Sequence, residues 1–418
     1  MGRVAGRFRR VEPRRRARAF VLGLLAELPR KNCWTIAEHA GDASPDGMQH
    51  LLARAVWDED AVRDDVRAYV VEHLGDPEAV LVVDETGDLK KGIQSVGVQR
   101  QYTGTAGRIE NAQVAVYLVY ASDAGHAMID RELYVPRGWI NDPDRCQAAG
   151  IPDQVGFATK PALATRMLSR ALDAEVPAAW ITGDEVYGAD PGLRAELEAR
   201  GIGYVLAVAC DHRVRIGGAS HRADALLRRV PARAWQQVSC GKGAKGHRLY
   251  DWAFIRLDHD GPAPSAQAGQ HWLMIRRNQR TGELAFYRCS SPRPVPLSTL
   301  VRVAGIRWTV EERFQTGKGL CGLDQHQVRR WRSWYRWVTL AMVAHAFLVV
   351  AAMTERICRP PPSGLIPLTC NEVQHLFAAL AVRPTGDAAH RLRWSLWRRR
   401  HQARARTCHY RRQAAWQP

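Results

Sequence analysis

The spacing of hydrophobic residues predicts helices in the first part of the chain. Apolar positions with helical periodicity mark Ala19 to Leu28 and Val62 to Leu74. Between them, Trp34 to Gly41 and a segment beginning at Ser44 predict two short helices joined by a tight turn. This is the outline of a helix-turn-helix, with Met48 to Val56 as the candidate recognition helix, although any two short packed helices would give the same pattern.

After Asp76 the pattern changes from helices to strands. In order, it predicts three strands, a helix, a strand, a helix and a fifth strand: Ala79 to Val83, Ala112 to Ala121, Ala127 to Val135, Lys160 to Ala174, Ala178 to Gly183, Gly192 to Arg200 and Gly203 to Ala209. With a later helix, this is the element order of an RNase H-like fold. We therefore predict an α/β protein with a mixed sheet flanked by helices.

About ninety residues that a minimal RNase H-like fold does not need follow the fifth strand. Their alternating or apolar runs predict a β-rich insertion: Trp235 to Ser239, His247 to Leu257, His271 to Arg276 and Leu284 to Cys289. Trp252 and Trp272 lie in these runs. Either ring could stack on an unpaired base, but core packing is the commoner role of such a tryptophan.

The C-terminal part alternates between apolar and strongly basic segments. Leu340 to Met353 is the most apolar stretch, and because it is short and contains His345 we predict a buried core helix without a membrane span. Pro360 to Gly364 reads as a linker. The tail from Arg391 to Arg412 is rich in arginine interspersed with tryptophan and histidine, which is typical of DNA backbone binding.

These patterns divide the chain into five predicted parts. They are an N-terminal helical region with the candidate DNA-binding helices (1–75), the first part of the RNase H-like core (76–209), the β-rich insertion (210–300), the last part of the core with its helix (301–357), and a linker with a basic helical C-terminal region (358–418). The first part opens with a basic arm, which we expect to become ordered on phosphate. Its arginines are Arg3, Arg7, Arg9, Arg10, Arg14, Arg15, Arg16 and Arg18.

Composition narrows the class of partner. The 418 residues include 60 Lys and Arg against 42 Asp and Glu, a formal net charge of +18, as expected of a nucleic-acid-binding protein. Nine cysteines without a C-x-x-C pair argue against a cysteine zinc module or a disulfide framework. The N-terminus is arginine-rich and lacks the apolar core of a secretory signal, so we predict a cytoplasmic protein that does not contact membranes.

Two predicted strands end in an aspartate. The apolar run before Asp84 and the run before Asp184 both lead into glycine-containing loops. Such acids are common helix caps or solvated loop residues, so each alone is a weak signal. Each is also followed directly by a glutamate, Glu85 or Glu185, which is an alternative candidate for the same role.

A third acid lies in the stretch from Gly305 to Arg329. Apolar residues recur there every four positions: Ile306, Val310 and Phe314. At about 100° per residue, one helix would carry Arg307, Glu311 and Lys318 on a shared face and turn the neighbouring Glu312 away. A solvated face with ion pairs would look the same, but the two strand-end aspartates favour a functional site.

These motifs resemble those of the DDE transposases of bacterial insertion sequences, in the group whose third motif is Y-(2)-R-(3)-E-(6)-K. Arg307, Glu311 and Lys318 match that spacing, while Ala304 occupies the tyrosine position. The stretches VVDETGDLKKG, SVGVQRQYTGTAGRIENAQVAVYLVY and TGDEVYG also resemble one insertion-sequence family, and the likeness runs from about Phe8 to the C-terminus.

The resemblance implies an RNase H-like core in which Asp84, Asp184 and Glu311 are catalytic and hold two divalent metal ions. In-line displacement at a phosphodiester uses one ion to activate the nucleophile and another at the leaving oxygen. Carboxylates suit Mg²⁺ or Mn²⁺, and Asp84 is the expected bridge between the two ions.

Several basic residues are candidates for DNA contact. We expect Arg307 and Lys318 to hold phosphates at the site, and the lysines of the KKG loop and later basic clusters to bind the DNA backbone. The later clusters place arginines among Trp331, Trp334, Tyr335 and Trp337, and again in the tail. The full set is Arg307, Lys318, Lys90, Lys91, Arg329, Arg330, Arg398, Arg399 and Arg400, with Arg332 and Arg336 in the same run.

The resulting hypothesis is a cut-and-paste transposase that cleaves and joins the DNA ends of its own element. Its expected partner is double-stranded DNA, at the element ends and at the target, and synapsis of two ends implies a homodimer by analogy with the family. Two alternatives remain. One is an inactive or domesticated DNA-binding protein that keeps the fold, and the other is an RNase H-like nuclease acting on RNA hybrids.

Overall fold

The strands predicted from apolar runs form in the structure, and all of them join one large sheet. The computed structural model describes residues 1–243, 246–259, 269–382 and 386–414. The chain groups into two compact units, Met1–Asp65 with Thr316–Pro418, and Val66–Gln315. The five predicted parts remain a prediction about domains. They differ from these two units at residues 316–357, which were predicted to belong to the core and which group with the N-terminal helices in the structure.

The strands are β1 (Val80–Leu89), β2 (Gln99–Thr103), β3 (Arg108–Ala121), β4 (His126–Leu133), β5 (Trp180–Gly183), β6 (Gly203–Val208), β7 (Arg213–Ile216), β8 (Ala219–Arg222), β9 (Gln236–Gly243), β10 (Gly246–Arg256), β11 (Gln270–Arg277) and β12 (Leu284–Ser291). The helices are α1 (Val11–Leu25), α2 (Cys33–His39), α3 (Asp46–Ala53), α4 (Glu59–Leu74), α5 (Arg137–Ile140), α6 (Pro143–Ala149), α7 (Lys160–Asp173), α8 (Glu185–Gly188), α9 (Pro191–Ala199), α10 (Leu297–Ile306), α11 (Trp308–Cys321), α12 (Trp331–Cys358), α13 (Cys370–Leu380) and α14 (Ala388–Ala414).

Ten strands of the Val66–Gln315 unit form one mixed sheet in the order β2-β3-β1-β5-β6-β12-β11-β10-β9, with β4 paired to β3. Strands β1, β5 and β6 run parallel to one another, and the remaining pairings in this sheet are antiparallel. The predicted α/β class with a mixed sheet flanked by helices is confirmed. All four strands predicted for the insertion are present, and they extend the central sheet because β12 pairs with β6.

The first strands differ from the prediction. Strand β1 continues past Asp84 to Leu89, because β3 pairs with it along its whole length. Strand β2 was not predicted, since its sequence, QRQYT, lacks an apolar run and its residues are mostly exposed. It is an edge strand that pairs only with β3 among the described strands.

The predicted single helix from Gly305 is wrong. Helix α10 ends at Ile306 and α11 begins at Trp308, with Arg307 as a turn residue whose carbonyl accepts from the Val310 amide at 3.1 Å. The sequence analysis placed Arg307 and Glu311 on a shared helix face because it assumed an unbroken helix. That reasoning does not hold across the break at Arg307. Helix α11 ends at Cys321, before Gly322 at φ +63°.

The predicted basic arm is largely helical in the structure. Helix α1 begins at Val11, well before the predicted start at Ala19, so most of the arm's later arginines project from its first turns. Phe8 is buried and its ring lies 5.1 Å from that of Trp57. The two short helices of the predicted helix-turn-helix are present as α2 and α3, and their role in reading DNA stays a prediction.

The apolar C-terminal helix is longer than predicted. Helix α12 has 28 residues, long and apolar enough to cross a membrane by length and composition. However, 78% of its most apolar window is buried within the protein. The core helix of a water-soluble protein meets the same criterion, so this finding is weak evidence for a membrane span.

Both tryptophans considered as base-stacking residues are buried. Trp252 is 0% exposed and Trp272 is 4% exposed. The Trp252 indole N–H donates to the Val238 carbonyl at 3.2 Å. Both therefore pack in the core.

A glycine contact next to the helix break is open to a direct test. A Cβ at Gly305 would lie 2.0 Å from the Cys240 carbonyl oxygen on β9, so Gly305→Ala must displace helix α10. We expect it to lower the free energy of unfolding by about 1–3 kcal/mol, measured by denaturant titration. The matched control is Gly319→Ala in α11, where a Cβ meets nothing within 4 Å; it should stabilise by about 0.5–1 kcal/mol through helix propensity. Equal stability of the two variants would contradict the close packing of α10 on β9.

Candidate active site

Strand pairing brings two of the predicted acids together. Strands β1 and β5 pair in parallel with Val83 opposite Gly183 as their last partners. The next residue on each strand is an aspartate, Asp84 or Asp184. Because neighbouring strands are only about 4.8 Å apart, residues at this position of both strands are forced side by side.

The chain then takes different paths after the two aspartates. Strand β1 continues, whereas the chain after β5 turns into the short helix α8. Asp184 caps that helix, with its carboxylate accepting from the Val186 amide at 2.9 Å. Asp84 accepts from the Glu85 amide at 2.7 Å. Both side chains are thus held by local backbone bonds.

A third carboxylate joins the pair. Oxygens of Asp84, Glu85 and Asp184 all lie within 4.8 Å of one another. Carboxylate oxygens at this spacing are the hard ligands that Mg²⁺ and Mn²⁺ prefer. The donor set therefore fits a divalent cation.

Burial and mutual repulsion shift the protonation of the two aspartates. Burial, then the charges of Asp184 and Glu85, raise the pKa of Asp84 to about 7, with Arg307 acting in the opposite direction. Burial and the charge of Glu85 also raise the pKa of Asp184, again opposed by Arg307. Negative charge is therefore costly at this site unless a cation offsets it.

Glu85 has its own partners. The ammonium of Lys160, at the start of α7, lies 2.5 Å from one of its oxygens. The hydroxyl of the buried Tyr187 donates to the other oxygen at 2.6 Å. The sequence analysis did not identify either residue. Both lie far from Glu85 along the chain, and no regular spacing connects them to it. Lys160 and Tyr187 therefore hold Glu85 in place beside the two aspartates.

Glu311 lies in the first turn of α11 and is exposed. It is not part of the cluster of oxygens within 4.8 Å. One turn further on, the ring of Phe314 lies 5.4 Å from that of Tyr117, edge to face. Tyr117 is the cross-strand partner of Asp84, so its side chain shares a face of the sheet with that aspartate. Phe314 thus anchors the start of α11 on this face.

Ala304, at the position of the expected tyrosine, is buried in α10. Arg307 is half-buried between α10 and α11, where its charge reaches both aspartates. Lys318 is half-buried on α11, and Lys90 is half-buried just after β1. The remaining predicted DNA contacts that are exposed are Lys91, Arg329, Arg330, Arg399 and Arg400.

Three arginines in the basic clusters have structural partners, and one of them, Arg332, donates to the Glu59 carboxylate at 3.3 Å. Arg398 pairs with Glu38. Arg336 is fully buried and donates to the Glu59 carboxylate at 3.1 Å and to the Trp57 carbonyl at 2.9 Å. The expectation that Arg336 contacts DNA is therefore wrong, because its guanidinium is used inside the helical unit.

Comparison with known proteins identifies the family of this chain. A family model described as "DDE superfamily endonuclease" matches residues 3–242. The chain belongs to the DDE superfamily endonucleases. A second model, "Transposase DDE domain", matches residues 158–347 of this DDE superfamily member. The predicted resemblance to DDE transposases is thus confirmed.

A curated relative and a solved structure were also found. The chain is 27% identical over 197 residues to the "Probable transposase for insertion sequence element IS701" of Microchaete diplosiphon, a match that covers 47% of this chain and 49% of the relative. The alignment therefore spans about half the length of that relative. A structure described as a piggyBac transposase synaptic complex with hairpin DNA aligns over 91% of this chain and 75% of its own, at 14% identity and a TM-score of 0.40.

The raised pKa of Asp84 predicts a pH-dependent stability of the metal-free protein. The pKa of Asp84 is about 7 in the folded protein, against an ordinary value of 3.8. Between these two pH values, unfolding releases a proton from Asp84. The contribution of this group to the free energy of unfolding therefore falls as the pH rises from 3.8 to about 7. In chelator-treated protein, Asp84→Asn should therefore stabilise by about 1–3 kcal/mol at pH 8 and by little at pH 4.5. Thermal or denaturant unfolding at both pH values measures this. The control is Asp153→Asn, an exposed turn residue, for which no such pH-dependent gain is expected. A loss of stability in Asp84→Asn that is equal at both pH values would refute the assignment.

Proposed function

We propose that this DDE superfamily endonuclease is a transposase that cleaves the DNA ends of an insertion sequence and joins them to a target. The observation that carries the proposal is the pairing of β1 with β5, which sets Asp84 beside Asp184. Two acids at adjacent ends of parallel strands form a compact ligand set for metal-dependent phosphoryl transfer. The named relative is a probable insertion-sequence transposase, in keeping with this assignment.

The metal ligands in this proposal are Asp84, Asp184 and Glu311. Two Mg²⁺ or Mn²⁺ ions, when bound, would supply activation of the attacking oxygen and neutralisation of the leaving oxygen. In this proposal Glu311 would join the aspartates from α11, and the contact of Phe314 with Tyr117 at the start of that helix supports this role. Glu85, held by Lys160 and Tyr187, supports the cluster without taking the role of the third catalytic acid.

The other residues of the site position DNA. The charge of Arg307 acts on both aspartates, which supports a role for this arginine in holding a scissile phosphate beside them. Lys318 and the lysines after β1, Lys90 and Lys91, would add phosphate contacts.

Duplex DNA is the proposed partner over the rest of the surface. The net charge of +18 favours a polyanion, and helix α14 presents its arginines almost entirely to solvent. The helix pair α2 and α3 is the proposed reader of the element ends. Joining two ends calls for two active sites, so we propose a homodimer in the DNA complex, acting in the cytoplasm on the bacterial nucleoid.

Replacement of Glu311 tests the third acid. We expect Glu311→Gln to reduce cleavage of duplex DNA carrying the element's ends, in Mg²⁺ or Mn²⁺, by at least a hundredfold. Loss of a direct metal ligand removes charge stabilisation worth several kcal/mol at the transition state. Strand nicking on denaturing gels measures the effect.

Glu312→Gln is the matched control. Glu312 is adjacent, also exposed, and lies 4.0 Å from Arg248 and 3.7 Å from Arg313. It should retain cleavage within a few-fold. Loss of activity in Glu312→Gln with retention in Glu311→Gln would reverse the assignment. An inert wild-type chain that still binds the DNA would instead indicate an inactive DNA-binding protein.

Salt dependence tests DNA binding by α14. The double substitution Arg399→Ala and Arg400→Ala should reduce the slope of log K against log salt by about 2, because each lost phosphate contact removes about 0.9 from it. Fluorescence anisotropy with duplex DNA between about 50 and 200 mM salt measures the slope. Arg398→Ala is the control, since its guanidinium already pairs with Glu38, and it should change the slope little. An unchanged slope in the double variant would place the DNA elsewhere.

A further inference from the structure

A second cluster of metal-ligating side chains lies away from the aspartates in sequence. Glu198 is in the last turn of α9, His259 follows β10, and His271 is on β11. One ligand atom from each lies within 4.8 Å of the other two. We propose that these three residues form a zinc site.

The distances suit a bound ion. A nitrogen of His271 lies 3.7 Å from one oxygen of Glu198, and a nitrogen of His259 lies 3.9 Å from the other. Ligands of a tetrahedral zinc ion are about 3.4 Å apart, as follows from metal–ligand bonds of about 2.0–2.2 Å. Movements of a few tenths of an ångström would close the site.

The surroundings of Glu198 favour metal ligation. The Tyr204 hydroxyl donates to one of its oxygens at 2.6 Å, an outer hydrogen bond of the kind that orients a ligating carboxylate. A cation is also favoured near the C-terminus of a helix. His271 is only 3% exposed, whereas His259 is 30% exposed on its side chain, so one side of the site remains open to water.

The chemical nature of the three ligands indicates which metal ion the site would bind. Two imidazoles and one carboxylate are typical of zinc and related transition metals, whereas Mg²⁺ prefers oxygen ligands throughout. The positive charges of the buried Arg194 and Arg288 also act on Tyr204, next to Glu198, and oppose part of the attraction of that carboxylate for a cation, so the imidazole nitrogens are needed as ligands. This site and the aspartate site should therefore take different ions.

The position of the cluster gives it a structural role. His259 and His271 lie on either side of the connection from β10 to β11, and Glu198 lies on the helix that follows the Asp184 loop. A bound ion would tie both ends of that connection to α9. The site would then fasten the insertion to the catalytic core, independently of the proposed reaction.

The test uses the full chain carrying Asp84→Asn and Asp184→Asn, which removes the other metal site. After chelation and dialysis, Zn²⁺ is titrated against a chromophoric chelator in excess Mg²⁺. We expect one Zn²⁺ per chain, and a loss of affinity of at least a hundredfold in His259→Gln and His271→Gln. His221→Gln, on β8 outside the cluster, is the matched control and should bind as the parent does.

Two further measurements guard against misfolding and adventitious binding. Zn²⁺ should raise the melting temperature of the parent but not of His259→Gln, whose partly exposed position outside any strand leaves the core intact. Co²⁺ should give the visible absorption of a four- or five-coordinate ion without sulfur charge transfer, which separates the site from the exposed Cys210, Cys358 and Cys408. No Zn²⁺ bound to the parent, or equal affinity in all three histidine variants, overturns the proposal and leaves the cluster as two histidine rings packed edge to face beside Glu198.

Discussion

The parallel pairing of β1 with β5 is the constraint on which the site depends. It sets Asp84 and Asp184 side by side at a point where both are half-buried. Two like charges so placed repel each other, and burial adds to the cost. The protein offsets part of this cost with the charge of Arg307, and the adjacent Glu85 is paired with the Lys160 ammonium and accepts a hydrogen bond from Tyr187. The negative charge of the two aspartates that remains is of the kind that divalent cations neutralise.

The rest of the Val66–Gln315 unit supports this arrangement. Strand β3 pairs with β1 beyond Asp84 and keeps that strand extended through the site. The insertion strands continue the same sheet from β6, so the insertion is a structural extension of the core. Helix α10 packs closely on β9 at Gly305, and the break at Arg307 places this arginine where its charge acts on the aspartates.

The sequence predicted the parts of the site that depend on local patterns. Apolar runs ending in Asp84 and Asp184 identified two buried strands, and adjacent parallel strands then bring these acids together. It did not predict Lys160 or Tyr187, because their contact with Glu85 joins residues 75 and 102 positions apart. The helix break at Arg307 was also missed, since the four-residue periodicity continues across it. The exposed edge strand β2 carries no apolar run, and the Glu198, His259 and His271 cluster has no ligand spacing of its own, so neither could be found by pattern.

The most direct test of the central claim is a crystal structure with Mn²⁺ bound, with the ions located by anomalous scattering. The account predicts manganese coordinated by oxygens of Asp84, Asp184 and Glu311, with Glu85 still bonded to Lys160 and Tyr187. Manganese held by Glu85 with Glu311 turned away to solvent, or bound at a place remote from the two aspartates, would contradict it.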